Sequence, residues 1–157
     1  MNIARNTEGG FVFSEVDPPL VEMFLSIPAS ADPEGSKAAN ERLFPKPVSG
    51  QESGVCEEWS EYVKPELREG FENASTTVEG DLGQLFAEGE LTIPPGHVDA
   101  WLNTLNQARL VLAARFDVTE EDMNRTAPLR TDDERDLALS RIHIYGLLQE
   151  CLLNGID

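Results

Sequence analysis

The segment Leu91–Phe116, LTIPPGHVDAWLNTLNQARLVLAARF, constrains this chain more than any other. It opens on extended residues, stops at Pro94-Pro95-Gly96, and continues with apolar residues recurring every three or four positions. Proline is tolerated in the first turn of a helix, where the missing N–H would have had no partner inside the helix. The segment therefore predicts a short strand, a turn and a regular helix beginning near Val98. Val98, Leu102, Leu105, Leu112 and Phe116 form its main stripe, while Leu110, Val111 and Ala114 lie towards the other side. A helix that is apolar on more than one side has to be surrounded, so this one is expected at the centre of a helical body.

The rest of the chain supplies the surroundings. Phe11–Val16 is aromatic and β-branched and reads as a second strand. Asp17-Pro18-Pro19 then starts a helix through Leu25 that ends before Pro28. Residues 29–54, rich in Pro, Ser, Gly and Asp, read as a surface excursion carrying a short helix over Ser36–Phe44, with Leu43 and Phe44 holding it to the core. Val55, Trp59, Tyr62, Leu67, Phe71, Ala74, Val78, Leu82 and Leu85 predict one long amphipathic helix that Gly89 stops; Gly80 and Gly83 inside it each cost about 1 kcal/mol relative to Ala. Thr119 caps a short helix, and Thr131-Asp132-Asp133-Glu134 reads as the capping box of a final helix that runs through Leu152 to Asn154-Gly155. The Arg125–Arg130 segment between them reads as an exposed loop.

Val98–Leu102 echoes Val21–Leu25, each behind a strand and a Pro-Pro pair, so the two strands are expected to pair with each other. A chain of 157 residues fits one domain. The expected fold is mainly α: a single domain over residues 1–157, a bundle of about five to seven helices, and a small two-stranded β element formed by the segments near 10–16 and 90–93.

Charge excludes more than any motif indicates. Twelve Lys and Arg stand against 29 Asp and Glu, a net charge of -17. Such a chain repels phosphate backbones and anionic membrane surfaces, so neither nucleic acid nor membrane is expected as a partner. No run of apolar residues reaches the length of a membrane span, and none follows MNIARNTEGG, which predicts a cytoplasmic protein without a secretory leader. Cys56 and Cys151 lie far apart in apolar helical contexts and read as reduced core thiols. Together with His97 and His143, both read as surface residues, they lack the paired spacing of a zinc site, and no metal or other cofactor is expected. The chain has no phosphate loop, dinucleotide-binding glycine motif, nucleophile elbow or zinc-protease motif. The adjacent acids Glu57-Glu58 and Glu120-Glu121-Asp122 point in different directions on a helix, so no catalytic residue is expected.

Two arginines interrupt apolar seams. Arg109 lies in the main stripe of the central helix, and Arg141 lies among Ala138, Tyr145, Leu148 and Leu152 on the last one. A buried guanidinium is costly unless its donors meet carboxylates, carbonyls or a bound anion. Asp81, Glu134 and Glu150 are the candidate partners, and Asn106 is the candidate for a further tertiary contact. An internal ion-pair network is preferred over an anionic-ligand site, and loss of Arg109 is expected to cost several kcal/mol, as for a broken buried pair. Trp101 reads as a core aromatic.

The pattern Trp101-Leu102-x-x-Leu105-Asn106-x-x-Arg109-Leu110-x-Leu112-x-x-Arg115, followed by a short acidic stretch and a helix ending Leu148-Gln149-Glu150-x-Leu152, resembles the bacterial family known as domain of unknown function 2017. The block Trp59–Leu67 and the strand-then-helix opening at Gly10–Leu25 are similar to that family as well, while Gln107 stands where its pattern has an acidic residue. The resemblance implies a helical bacterial cytoplasmic protein with no established activity, often encoded near the adaptor of the Clp protease. The expected function is a non-enzymatic protein-interaction or regulatory module, linked to Clp-type proteolysis, whose partner is another protein or a second copy of the chain. A small-molecule or anion-binding protein using the two arginines between helices is the alternative, and an acidic DNA mimic the third.

Overall fold

The computed structural model describes residues 1–45 and 57–155. Three short strands form one antiparallel sheet. β1 (Asn2–Arg5) pairs antiparallel with β2 (Phe11–Ser14), and β2 pairs antiparallel with β3 (Leu91–Ile93), in the order β1-β2-β3. The pairing of β2 with β3 follows the expected one, with Phe11 opposite Ile93 and Phe13 opposite Leu91. These four side chains are buried and cover one face of the sheet. The two-stranded expectation omits β1, in which Ile3 is half-buried and its neighbours are exposed, so the sequence carries no alternation to reveal it. The turn back to β2 is closed by Asn6, whose Oδ1 accepts from the N–H groups of Glu8 at 3.0 Å and Gly10 at 2.8 Å. Gly10 is required there, since a Cβ would lie 2.4 Å from the Ile93 carbonyl oxygen.

The helices are α1 (Pro18–Leu25), α2 (Ile27–Ala31), α3 (Lys37–Leu43), α4 (Lys64–Glu88), α5 (Val98–Arg115), α6 (Glu120–Met123) and α7 (Glu134–Asn154). α1 ends at Leu25 as expected, and a separate short helix, α2, follows it with Pro28 in its first turn, where the missing donor is harmless. α3 falls within the expected Ser36–Phe44 stretch and is capped by Ser36, whose hydroxyl accepts from the Ala39 N–H at 3.1 Å. Leu43 and Phe44 are buried with Ala39 and Val111, which pins this part of the 29–54 excursion to α5. Val55 and Cys56 lie outside the described residues, and Cys151 is half-buried rather than in the core.

α4 is the predicted long helix, closed by Gly89 at φ +68. The start of the predicted apolar face is not buried: Tyr62, before Lys64, and Leu67 are exposed. A π-helical turn over Trp59–Val63 precedes Lys64, and the wider turn breaks the three-and-four spacing that would align Tyr62 with Val78 and Leu82; Leu67 lies beyond it, in the first turn of α4. Gln84 on α4 covers the free edge of β3, donating to the Thr92 carbonyl at 3.1 Å and accepting from the Thr92 N–H at 3.2 Å. α5 is the central helix, packed against α2, α3, α4 and α7. Trp101, Thr104, Leu105, Gln107, Ala108, Val111 and Leu112 are its buried positions.

The last third is held by two arginine clusters. Arg135 donates to the Phe116 carbonyl at 3.1 Å and to Asp122 Oδ1 at 2.9 Å, joining the end of α5, α6 and the start of α7. Arg125 donates to Asp136 Oδ1 at 2.8 Å, so the predicted loop Arg125–Arg130 is exposed yet tied to α7. α7 is capped by Asp133 and not by Thr131: the Asp133 carboxylate accepts from the N–H groups of Arg135 and Asp136. α6 has the expected Thr119 cap, completed by Asp122.

Candidate functional site

Arg109 is half-buried on α5 and reaches across α7 at Gly146. A Cβ at position 146 would lie 3.2 Å from the guanidinium carbon, so a side chain there would crowd the arginine and make it shift. Arg109 donates to Gln149 Oε1 at 2.8 Å, and Gln149 Nε2 turns back to the Leu102 carbonyl at 3.4 Å. The buried Arg109 Nε has no partner among the described residues. A groove of about 450 Å³ opens beside it, lined by His143, Gly146, Leu147, Gln149, Glu150 and Leu153. Leu147 is 57% exposed and Leu153 is 67% exposed.

Only Glu150 among the other predicted site residues reaches this groove, and it forms no ion pair with Arg109. Arg141 does not line it; this arginine is half-buried, and its buried Nε also lacks a partner. The expected ion-pair network around the two arginines is therefore absent among the described residues. Asp81 is buried but taken by other donors: Trp101 Nε1 at 2.9 Å and His97 Nδ1 at 2.9 Å. His97 is thus anchored and not simply a surface residue. Arg109 lies two turns beyond Trp101, about 12 Å along the axis, which puts it out of reach of Asp81. Glu134 is exposed at the start of α7, and Asn106 is exposed as well. The tertiary contact expected of Asn106 is made by its neighbour Gln107, one helical step round, whose Nε2 donates to the Ala31 carbonyl at 2.7 Å. With a neutral amide as its partner, Arg109 is expected to contribute about one hydrogen bond from a charged donor, roughly 1.5–3 kcal/mol, in place of a buried ion pair.

A second concavity, of about 560 Å³, lies between the α2–α3 segment and α4, with Gln107 on its wall. Asp32, Glu34, Glu72 and Glu79 contribute carboxylates to it, and Phe44 and Phe71 contribute rings 5.7 Å apart. Arg68 sits at this rim with its guanidinium carbon 5.0 Å from the Phe44 ring centre. Gln107 is 6% exposed, and its Oε1 is buried without a partner among the described residues.

The model of one family, described as a domain of unknown function (DUF2017), matches residues 10–155. The chain belongs to the DUF2017 family. No curated protein and no solved structure significantly matches it. The DUF2017 match begins at Gly10, so it takes in β2, β3 and every helix while β1 lies before it. It also spans every residue of the groove and of the cleft.

Within the DUF2017 chain the cleft is the part that sequence reading missed. Its residues come from four separated stretches, and the space between them exists only after α4 packs on α2 and α5. One signal was present: Thr104 and Gln107 are polar yet fall among Trp101, Leu105, Ala108 and Val111 on the most buried side of α5. A polar residue at such a position needs a partner or a reason.

Proposed function

We propose that this DUF2017 chain is a non-catalytic protein-interaction module, acting as an adaptor or regulatory subunit in the bacterial cytoplasm, that engages its partner at the Arg109 groove. The observation that carries this reading is the guanidinium itself. It is seated over Gly146, has a neutral amide as its one side-chain partner among the described residues, and stands beside two leucines that are more than half exposed. Arginine is among the residues in which binding energy concentrates at interfaces. The arrangement fits a partner segment that brings a carboxylate to Arg109 and an apolar side chain to Leu147 and Leu153. The net charge of -17 repels acidic proteins at a distance, so that carboxylate has to belong to a surface that is not acidic overall.

The Clp-type proteolytic system, the setting implied by the family resemblance, supplies the first partners to try. A photo-crosslinking residue placed at Leu153 in the native cell is expected to yield one discrete adduct. The same residue at Glu22, exposed on α1, should give none, and Leu147→Asp should abolish the adduct at 153. Lack of an adduct at 153, or the same adduct at both positions, rules the groove out as the docking face.

A further inference from the structure

We propose that the cleft between the α2–α3 segment and α4 is a second binding site, built for an aliphatic ammonium or guanidinium group. Four carboxylates line it, Asp32, Glu34, Glu72 and Glu79, and the one cation among its lining residues is Arg68, stacked on Phe44, with Lys64 Nζ 5.6 Å from the same ring. On its wall Gln107 commits Nε2 to the Ala31 carbonyl at 2.7 Å, which fixes the amide and leaves the buried Oε1 as an acceptor with no donor. Asn40 repeats the pattern. Its Nδ2 donates to the carbonyls of Pro33 at 3.0 Å and Ser36 at 2.8 Å, so what remains of the amide is an acceptor.

A cleft that offers acceptors and negative charge matches the two permanently cationic side-chain-type groups, which carry donors and no acceptor. The Phe71 ring, tilted against Phe44, suits the aliphatic stem of such a group. The wall is also preformed: Arg115 Nη2 donates to the Asp32 carbonyl at 2.9 Å and to the Glu34 carbonyl, tying down the loop that bears two of the acids. Preorganisation of this kind removes an ordering cost from binding. The volume, about 560 Å³, lies within the usual range for small-ligand sites. The site is separate from the Arg109 groove and stands independently of the partner reading given above.

Such a group arrives either on a free polyamine or on a lysine or arginine side chain of a protein, and the two are told apart by titrating the full-length ¹⁵N-labelled chain with spermidine and, separately, with the end-blocked peptides Gly-Lys-Gly and Gly-Arg-Gly. Saturable shifts are expected at the Gln107 and Asn40 side-chain amides and at Ser75 and Thr76 for the probe that fits, which names the source. Glu72→Gln with Glu79→Gln, both at exposed positions, should weaken that binding about tenfold or more. Glu120→Gln with Glu121→Gln makes the same change in net charge away from the cleft and should leave affinity within about twofold. Gln107→Met keeps the volume, removes the acceptor and should also weaken binding. Saturation by none of the probes overturns the proposal, as do shifts spread over every acidic face with both double variants losing affinity equally.

Discussion

At the level of single residues, Asp81 shows how much depends on partners rather than on burial. The carboxylate is 7% exposed, yet it faces an indole N–H and a histidine in place of the arginine the sequence invites. Trp101 is 1% exposed, so its Nε1 has nowhere else to go. Asp81→Ala should leave that donor buried and unsatisfied and lower the free energy of unfolding by about 1–3 kcal/mol. Adding Trp101→Phe removes the stranded donor, so in urea titrations the double variant should lose less than the two single losses combined. Strict additivity would show that the contact contributes nothing. The sequence made Trp101 legible as core and Arg109 as partly buried, because both follow from helical spacing alone. It did not reveal who meets whom, since a partner depends on the relative rotation of two helices. Asn106 and Gln107 illustrate the limit: one position round the helix separates an exposed amide from a buried one.

At the level of elements, local chemistry was legible wherever a cap or stop is written in a few adjacent residues. Gly89, Ser36 and Thr119 end or begin helices as their types require. The start of α7 was misplaced by two residues because Thr131 and Asp133 are both competent caps and only geometry chooses between them. Asp133 accepts from the Arg135 N–H at 2.8 Å and the Asp136 N–H at 3.2 Å, while Thr131 lies before the helix. Asp133→Ala is therefore expected to cost about 1 kcal/mol and Thr131→Ala close to nothing. Urea midpoints of the two variants decide it, and equal losses would return the cap to Thr131. The apolar residues before Lys64 were misread for a different reason. Tyr62 matches the spacing of an uninterrupted α-helix, and the π-turn at Trp59–Val63 that contains it removes the premise.

Across the whole molecule two electrostatic effects oppose each other, and pH separates them. The net charge of -17 makes the folded chain repel itself, an effect spread over many exposed carboxylates and weakened by salt. Against it stand two placed acids. The Arg135 guanidinium, then the N–H and hydroxyl of Thr119, hold the Asp122 carboxyl far below the usual carboxylate range. The Arg130 N–H and then the Arg125 guanidinium lower Asp136 in the same direction. A folded pKa below the unfolded one means that the ionised form is favoured by folding. The stability these acids contribute is complete above the unfolded carboxylate value of about 4 and is lost as pH falls through it towards their folded values. At neutral pH added salt should raise the thermal midpoint, because exposed ion pairs contribute little and the diffuse repulsion is the larger quantity to be screened. Below about pH 4 stability should fall steeply. Asp122→Asn combined with Asp136→Asn should be less stable than the parent at pH 7 and should show a flatter acid limb, read from urea midpoints across the series. Parallel acid limbs for parent and variant would mean that other carboxylates carry the acid transition, and a midpoint falling with salt at pH 7 would mean that the paired charges outweigh the excess.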